Sequence, residues 1–266
     1  MNNLISNFDQ ILAFAHQYQL PLTQKRAILR EYLQIKILDV LYQQSLSPQL
    51  IFVGGTSLRL TKNLDRFSED LDFDLQQITT QQLDLLINQT FQLLNKENFY
   101  LELYRNQTTQ RTHYEFRFKT LLYELEISRH SDEKLAIKFD FDQYWRGHQR
   151  QTILINRYGF LVKVITVPLN QFLVQKLTAY LNRKATQPRD LYDIIWLKAQ
   201  GAQTDQQFIQ ANQLPQDLVT QVIKKFQREK SKLSIYKRRL KPFLINENYV
   251  NQLDLLPQVL NQSQAE

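Results

Sequence analysis

The stretch GGTSLRLTKNLDRFSEDLDFDL, residues 54–75, joins two local patterns whose combination decides how the chain reads. It follows the apolar run LIFV (50–53), so a strand is predicted to end at Gly54-Gly55, where the missing side chains let the backbone pass close to a ligand. Thr56 and Ser57 can then cap a short helix whose free N–H groups point at an anion. In DLDFDL (70–75) acidic and apolar residues alternate. This predicts a second strand with Asp70, Asp72 and Asp74 on one face and Leu71, Phe73 and Leu75 on the other. Carboxylates in such a row repel one another, and a divalent cation held between two of them offsets the repulsion. Oxygen ligands favour Mg2+ or Mn2+. An edge strand with acids on its wet face is the plainer explanation of the D-x-D alone. The glycine-hydroxyl turn upstream supplies the phosphate-binding half that transfer from a nucleoside triphosphate needs.

Working outward, Ala27, Ile28, Tyr32, Ile35, Leu38 and Leu41 recur at spacings of three and four after Pro21 and Thr23. The first 45 residues are therefore read as helical, ending at Ser47-Pro48. Leu83, Leu86, Ile87, Phe91 and Leu94 give an amphipathic helix over 79–96, with Thr79 or Thr80 as N-cap. Between 99 and 142 the period changes to two. FYLELYR, HYEFRFK, LYELEIS and LAIKFDF are predicted as consecutive antiparallel strands, with LVKVITV (161–167) as one more. Pro168 permits a helix over 169–183, and the remainder reads as helices separated by Gly201, Pro215, Pro242 and Pro257. The expected fold class is α+β, with a mixed sheet and flanking helices in residues 1–167 and a helical part in 168–266.

The chain has 266 residues, a net charge of +7 and no cysteine. That excludes disulfides, thiolate metal sites, Fe–S clusters and cysteine nucleophiles, and suits a reducing compartment. No run approaches the roughly 18 apolar residues of a membrane span. MNNLISNFDQ has neither the basic nor the apolar region of an export signal. A cytoplasmic protein without a membrane partner is expected. KKFQREKSKLSIYKRRLK (224–241) holds nine Lys/Arg against one Glu, which leaves the rest of the chain at −1. Lys224, Lys225, Arg228, Lys237, Arg238 and Arg239, interleaved with Phe226 and Tyr236, form a candidate nucleic-acid-binding surface; a solvated basic face is the ordinary alternative. Residues 65–74 are the opposite, with five Asp/Glu and one Arg. His16, His113, His130 and His148 are scattered without ligand spacing, so they read as surface or core histidines and no zinc site is expected.

Four blocks in order, GGTSLR (54–59), RFSEDLDF (66–73), KLTAYLNR (176–183) and RDLYD (189–193), resemble the AbiEii/AbiGii nucleotidyltransferase toxin family within the DNA polymerase β-like nucleotidyltransferase superfamily. The resemblance covers roughly residues 50–200. It implies a nucleotidyltransferase-like sheet, with Asp70 and Asp72 as the metal-binding carboxylates. It also implies that Gly55 and Ser57 hold triphosphate oxygens, with Gly54, Thr56 and Arg59 in the same nucleotide-binding set. Lys176 would neutralise phosphate charge, and Asp190 is a further required acid. Arg66 and Ser68 flank the metal pair and complete the nucleotide-binding set, Ser68 being also a place for self-modification or silencing. The superfamily usually adds a third carboxylate from a neighbouring strand. Asp140 in LAIKFDFD would supply it, with Asp142 as second choice; the two share a face, so spacing does not separate them. Each second-half residue also has an ordinary alternative: Lys176 as a solvated lysine, Asp190 as an N-cap after Pro188, and Asp193 with Arg189 as a local ion pair.

The expected function is metal-dependent transfer of NMP from an NTP to an acceptor hydroxyl, releasing pyrophosphate. The resemblance implies a toxin of a toxin–antitoxin pair, of the phage-defence or abortive-infection type, with RNA as acceptor, foremost the tRNA 3′ end, and a cognate antitoxin as partner. Two other classes are open: a catalytically inactive nucleic-acid or partner-binding module of the same fold, and a glycosyltransferase using D-x-D for a nucleotide sugar. The Gly-Gly-hydroxyl turn and Lys176 fit the last poorly.

Overall fold

The computed structural model describes residues 3–107 and 112–261. Among them no helix is long and apolar enough to cross a membrane. The chain divides into two compact units: Met1–Asn63, Phe67–Tyr144 and Thr152–Thr166 form the first, and Leu64–Arg66, Trp145–Gln151 and Val167–Glu266 the second.

The first unit opens with α1 (Asn3–Gln17) and α2 (Lys25–Tyr42). On α2 not only Ile28, Leu29, Leu33, Ile37 and Leu41 but also Glu31, Gln34 and Lys36 are buried, so the helix is enclosed on more than one stripe. There follow β1 (Leu50–Val53), α3 (Gly54–Lys62), β2 (Leu71–Leu75), α4 (Thr80–Lys96), β3 (Leu101–Gln107), β4 (Thr112–Phe118), α5 (Leu121–Glu124), β5 (Leu135–Asp142), β6 (Gln151–Arg157) and β7 (Phe160–Thr166). Five strands form one sheet in the order β1-β2-β5-β4-β3, and β6-β7 form a separate pair. β2 and β5 run parallel, whereas the other neighbours in the large sheet are antiparallel. On β5, Leu135, Ile137, Phe139 and Phe141 are buried while Asp140 and Asp142 are half-buried and Lys138 is exposed. Phe73, Phe116, Phe139 and Phe141 meet ring to ring. Each such side chain contributes about 1.5–3 kcal/mol on burial. β2 and β5 thus turn apolar side chains to one face of the sheet and carboxylates to the other.

Thr79 caps α4 in a capping box with Gln82, one of the two caps the sequence offers. Two strand readings differ. LYELEIS forms no strand: its start lies in α5, and Leu121, Leu122 and Leu125 are buried at the spacing of one helical turn. Positive φ at Thr120 (57°) and Glu126 (55°) turns the chain at either end of that helix. QTILINR, unassigned from sequence, is β6. It pairs with β7 through Tyr158-Gly159, both at positive φ as a tight hairpin requires. Leu154 is exposed on this strand, which blurs the apolar alternation by which strands are recognised.

The second unit is helical: α6 (Leu169–Asn182), α7 (Pro188–Ala199), α8 (Gln206–Ala211), α9 (Leu218–Glu229), α10 (Leu233–Leu240) and α11 (Leu256–Asn261). Phe172, Leu173, Leu177, Leu191, Ile194, Val222 and Phe226 are buried in it. Pro188 occupies the start of α7, where a missing N–H leaves no helical bond unmade. Two short segments expected in the first part belong here instead. Arg66 forms a β-bridge with Leu244, and the Asp65 carbonyl accepts from the Ile245 N–H. Gln149 donates its N–H to Gln171, whose side-chain amide donates to the Gly147 carbonyl.

Candidate active site

At the end of β1 the chain turns into α3 through Gly54, whose φ of +75° disfavours any side chain. Space excludes one as well. A Cβ at Gly54 would lie 2.0 Å from Asp72 Oδ2, 2.6 Å from its Cγ and 2.8 Å from its Cβ. The Asp72 carboxylate therefore rests directly against the backbone of the turn. No side chain caps α3, so its first-turn N–H groups are not taken by a capping residue, which is the setting in which a helix start receives an anion. Thr56 and Ser57, expected as caps, lie inside the first turn.

Their hydroxyls have other tasks. Thr56 Oγ1 donates to the Asp70 carbonyl at 2.5 Å and ties the turn to the residue that opens the carboxylate strand. Ser57 is fully buried; its hydroxyl donates to the Phe52 carbonyl at 2.8 Å and lies 2.9 Å from Thr166 Oγ1. With its hydroxyl so engaged and its N–H one turn beyond Val53, Ser57 closes the first turn of α3, and the N–H groups left without a helical partner are those of Gly54, Gly55 and Thr56. Gln34 on α2 donates to the carbonyls of Ser68 and Glu69, and Arg30 pairs with Glu69 at 3.1 Å. The segment before Asp70 is thus strapped from α2 as well as from α3, and nothing in the sequence singles out Gln34 for this. Arg59, expected near the nucleotide, is buried and donates to Glu31 at 2.7 Å; Glu31 also accepts from Arg157 and from the Tyr158 hydroxyl. Burial, with the Glu31 charge beside it, raises the Tyr158 pKa above the ordinary phenol range.

Strand pairing assembles what spacing left open. Asp72 is in register with Val53 on β1 and with Asp140 on β5, while Asp142 is in register with Asp74, which is buried. Asp140 is in turn opposite His113 on β4, and His113 Nδ1 lies 2.5 Å from Asp140 Oδ1. Residues in register share a face, so Asp72, Asp140 and His113 form a row across three strands. Exposed Lys138, opposite Glu115, lies on that face too. His113 and Lys138 were not singled out from sequence, because they reach this face through the antiparallel β4–β5 pairing, whose register leaves no local signal. The donors available for a cation are all carboxylate oxygens, which suits a hard divalent ion, and the Cβ-free cradle of Gly54 holds one of them in place. Among the described residues no three His, Asp or Glu groups are drawn together about one point.

In the second unit the remaining motif residues form a buried ionic cluster. Arg66 binds Asp193 through two parallel contacts, Nε to Oδ1 and Nη2 to Oδ2, each 2.7 Å. Lys176 Nζ lies 2.8 Å from Asp193 and 3.4 Å from Asp190, and Arg183 Nε is 3.1 Å from Asp190. Burial alone would raise the Asp193 pKa, but the charges of Arg66 and Lys176 prevail and hold it below the usual carboxylate value. Two ordinary readings are corrected. Asp190 is not the N-cap of α7; Gln187 is, and Asp190 sits in the first turn, where a negative charge is favoured. Asp193 pairs with Arg66 and Lys176 rather than with Arg189, whose guanidinium lies 4.5 Å from the Phe243 ring centre. Lys176 is neither solvated nor free, since its ammonium joins two carboxylates.

The basic stretch is divided. Phe226 and Tyr236 are buried, so they are core residues and not stacking platforms for bases. Lys225 donates to the carbonyls of Tyr180, Leu181 and Arg183 at the end of α6, a stabilising place for a cation. Lys237 pairs with Asp254, and Arg239 donates to Gln187. Lys224, Arg228 and Arg238 are exposed.

The five-stranded mixed sheet with its helices is a nucleotidyltransferase fold. Solved structures agree on the fold. A Helicobacter pylori protein described as a nucleotidyltransferase on grounds of similarity superposes with a TM-score of 0.55 at 20% identity, over 89% of this chain and 95% of that one. MenT4, a nucleotidyltransferase toxin from Mycobacterium tuberculosis, gives 0.53 at 19% identity, over 95% and 98%. JHP933 from Helicobacter pylori gives 0.51 at 19%, over 89% and 92%. Comparison with curated proteins finds no match. The model of the nucleotidyl transferase AbiEii toxin family, of type IV toxin–antitoxin systems, matches residues 36–256, and the chain belongs to that family. It is a nucleotidyltransferase toxin.

Proposed function

We propose that this toxin transfers NMP from an NTP to a hydroxyl of RNA, foremost the tRNA 3′ end, with release of pyrophosphate and dependence on Mg2+ or Mn2+. The observation that supports it most is the Asp72 carboxylate held against Gly54, with Asp140 in register beside it. Asp70, Asp72 and Asp140 would hold the divalent cation, which supplies charge neutralisation at the triphosphate and acidifies the attacking hydroxyl. The chain's own residues position the reactants. The first-turn N–H groups of Gly54, Gly55 and Thr56 receive phosphate oxygens. Thr56 and Gln34 fix the approach to Asp70. Lys176 enters on its motif match; held by Asp190 and Asp193, it is a fixed cation, which suits stabilisation of developing phosphate charge without reorganisation. Ser68, two residues before Asp70, is where an added phosphoryl group would set negative charge beside the carboxylates and silence the enzyme. Exposed Lys224, Arg228 and Arg238 are the part of the basic stretch assigned to RNA. The setting proposed is the cytoplasm, with an antitoxin protein, in abortive infection.

The test is incorporation of label from the alpha phosphate of each NTP into total cellular RNA. Wild type labels RNA, and Asp70→Asn lowers the signal by two orders of magnitude or so. Equal labelling by both proteins refutes the enzyme reading in favour of a binding module, and label in protein rather than RNA refutes the acceptor.

A further inference from the structure

We propose that His113 is the positioning residue for Asp140: its ring fixes the orientation of the carboxylate beside Asp72 and thereby sets how tightly the acidic site takes up a divalent cation. This rests on the reading of Asp70, Asp72 and Asp140 as the cation-binding carboxylates.

Three observations carry it. First, β5 lies between β2 and β4, so Asp140 has Asp72 on one side and His113 on the other, each in direct register. Second, the contact is atom-specific: His113 Nδ1 meets Asp140 Oδ1 at 2.5 Å. An ionised carboxylate only accepts, so Nδ1 carries the proton and donates, and Oδ2 is left for a cation. Third, the pair is open to solvent, with side chains 39% and 46% exposed. An exposed pair contributes little to stability, so the fold does not depend on this contact.

The physical effect is preorganisation. An aspartate on the polar face of a sheet has several χ1 and χ2 settings, and only some aim an oxygen at the space shared with Asp72. Binding a cation to a freely rotating carboxylate must oppose that lost freedom, and a fixed one has already lost it. Hydrogen-bond partners of metal-ligating carboxylates typically alter metal affinity by about 10–100-fold when removed.

The experiment titrates the full chain with Mn2+, alone and with a non-hydrolysable NTP, counting free Mn2+ by its electron paramagnetic resonance. His113→Ala is expected to weaken Mn2+ binding about tenfold. His113→Asn, whose side-chain N–H falls near the place of Nδ1, restores it to within about threefold, whereas His113→Gln does not. The melting temperature stays within about 2 °C throughout, as befits an exposed pair. Wild-type affinity in His113→Ala, or equal weakness in His113→Ala and His113→Asn, overturns the proposal. Asp72→Asn in the same titration separates the two levels. If Asp72→Asn loses Mn2+ while His113→Ala does not, the positioning role fails alone. If Asp72→Asn binds as wild type does, the carboxylate reading fails with it.

Discussion

Replacing Gly54 by alanine separates the turn's role in folding from its role in chemistry. Two effects add at this position. A non-glycine residue in the left-handed region costs about 1–2 kcal/mol. For a domain of this size that corresponds to a fall in melting temperature of about 2–8 °C. The second effect is steric. The new Cβ would stand 2.0 Å from Asp72 Oδ2, and rotation of the carboxylate alone gives no relief, because the Asp72 Cβ is itself only 2.8 Å away. Either the turn or β2 must shift, and the carboxyl oxygen must move by about 1 Å or more to reach an ordinary contact. A misplacement of about 1 Å in a reacting assembly lowers rate by about 100-fold. Gly201 provides the matched control: its φ is +79°, yet nothing lies within 4 Å of a Cβ built there. Gly201→Ala should therefore show the fall in melting temperature without the loss of kcat/KM, as read by differential scanning calorimetry and initial rates of NMP incorporation. If Gly54→Ala retains wild-type kcat/KM, the carboxylate does not depend on the turn and the reasoning fails.

Other expectations can be checked with similar means. Asp140→Asn should lower kcat/KM about 100-fold while Asp142→Asn stays near wild type, since Asp140 is the one in register with Asp72; the reverse order in a rate assay would reassign the third carboxylate. Asp193→Asn should lower unfolding free energy by about 3–5 kcal/mol in urea titrations at neutral pH, because Arg66 loses a buried partner. The Asp193 carboxyl titrates below its ordinary value in the fold, so its stabilisation is whole above the unfolded pKa and disappears as pH falls through the depressed folded one. The gap between wild type and Asp193→Asn should accordingly close only in acid, below about pH 4. The triple change of Lys224, Arg228 and Arg238 to alanine should weaken RNA binding and reduce the salt slope by up to about three, whereas Lys225→Ala should act on melting temperature instead.

Local chemistry was legible where the physics is local. The glycine turn, the capping threonine of α4 and the helices of the second unit follow from φ, from side-chain reach and from period. LYELEIS shows the limit: four apolar residues in seven satisfy a strand template and one helical turn alike, and positive φ at Thr120 and Glu126 decides between them. The acidic pair was visible as Asp70 and Asp72, but the choice of Asp140 over Asp142 depends on a parallel register formed across α4, β3, β4 and α5. His113 was dismissed on spacing because its partner Asp140 lies 27 residues on and meets it only through the antiparallel β4–β5 pairing. The reading of Phe226 and Tyr236 as stacking residues failed because composition reports that a basic stretch contains aromatics and says nothing of which face they take; both serve the core. Ser57, Arg59 and Arg66 likewise show that a motif names positions without naming the atom that acts. Their side chains are engaged with Phe52, Glu31 and Asp193.

The central claim is that carboxylates on the polar face of the sheet, seated against the Gly54 turn, catalyse nucleotidyl transfer. Parallel reactions with NTP labelled at the alpha or the gamma phosphate test it most directly, with wild type and Asp72→Asn compared in Mg2+. The account predicts alpha label in RNA and gamma label in released pyrophosphate for wild type, and neither for Asp72→Asn. Gamma label in the acceptor, or undiminished alpha label with Asp72→Asn, would contradict it.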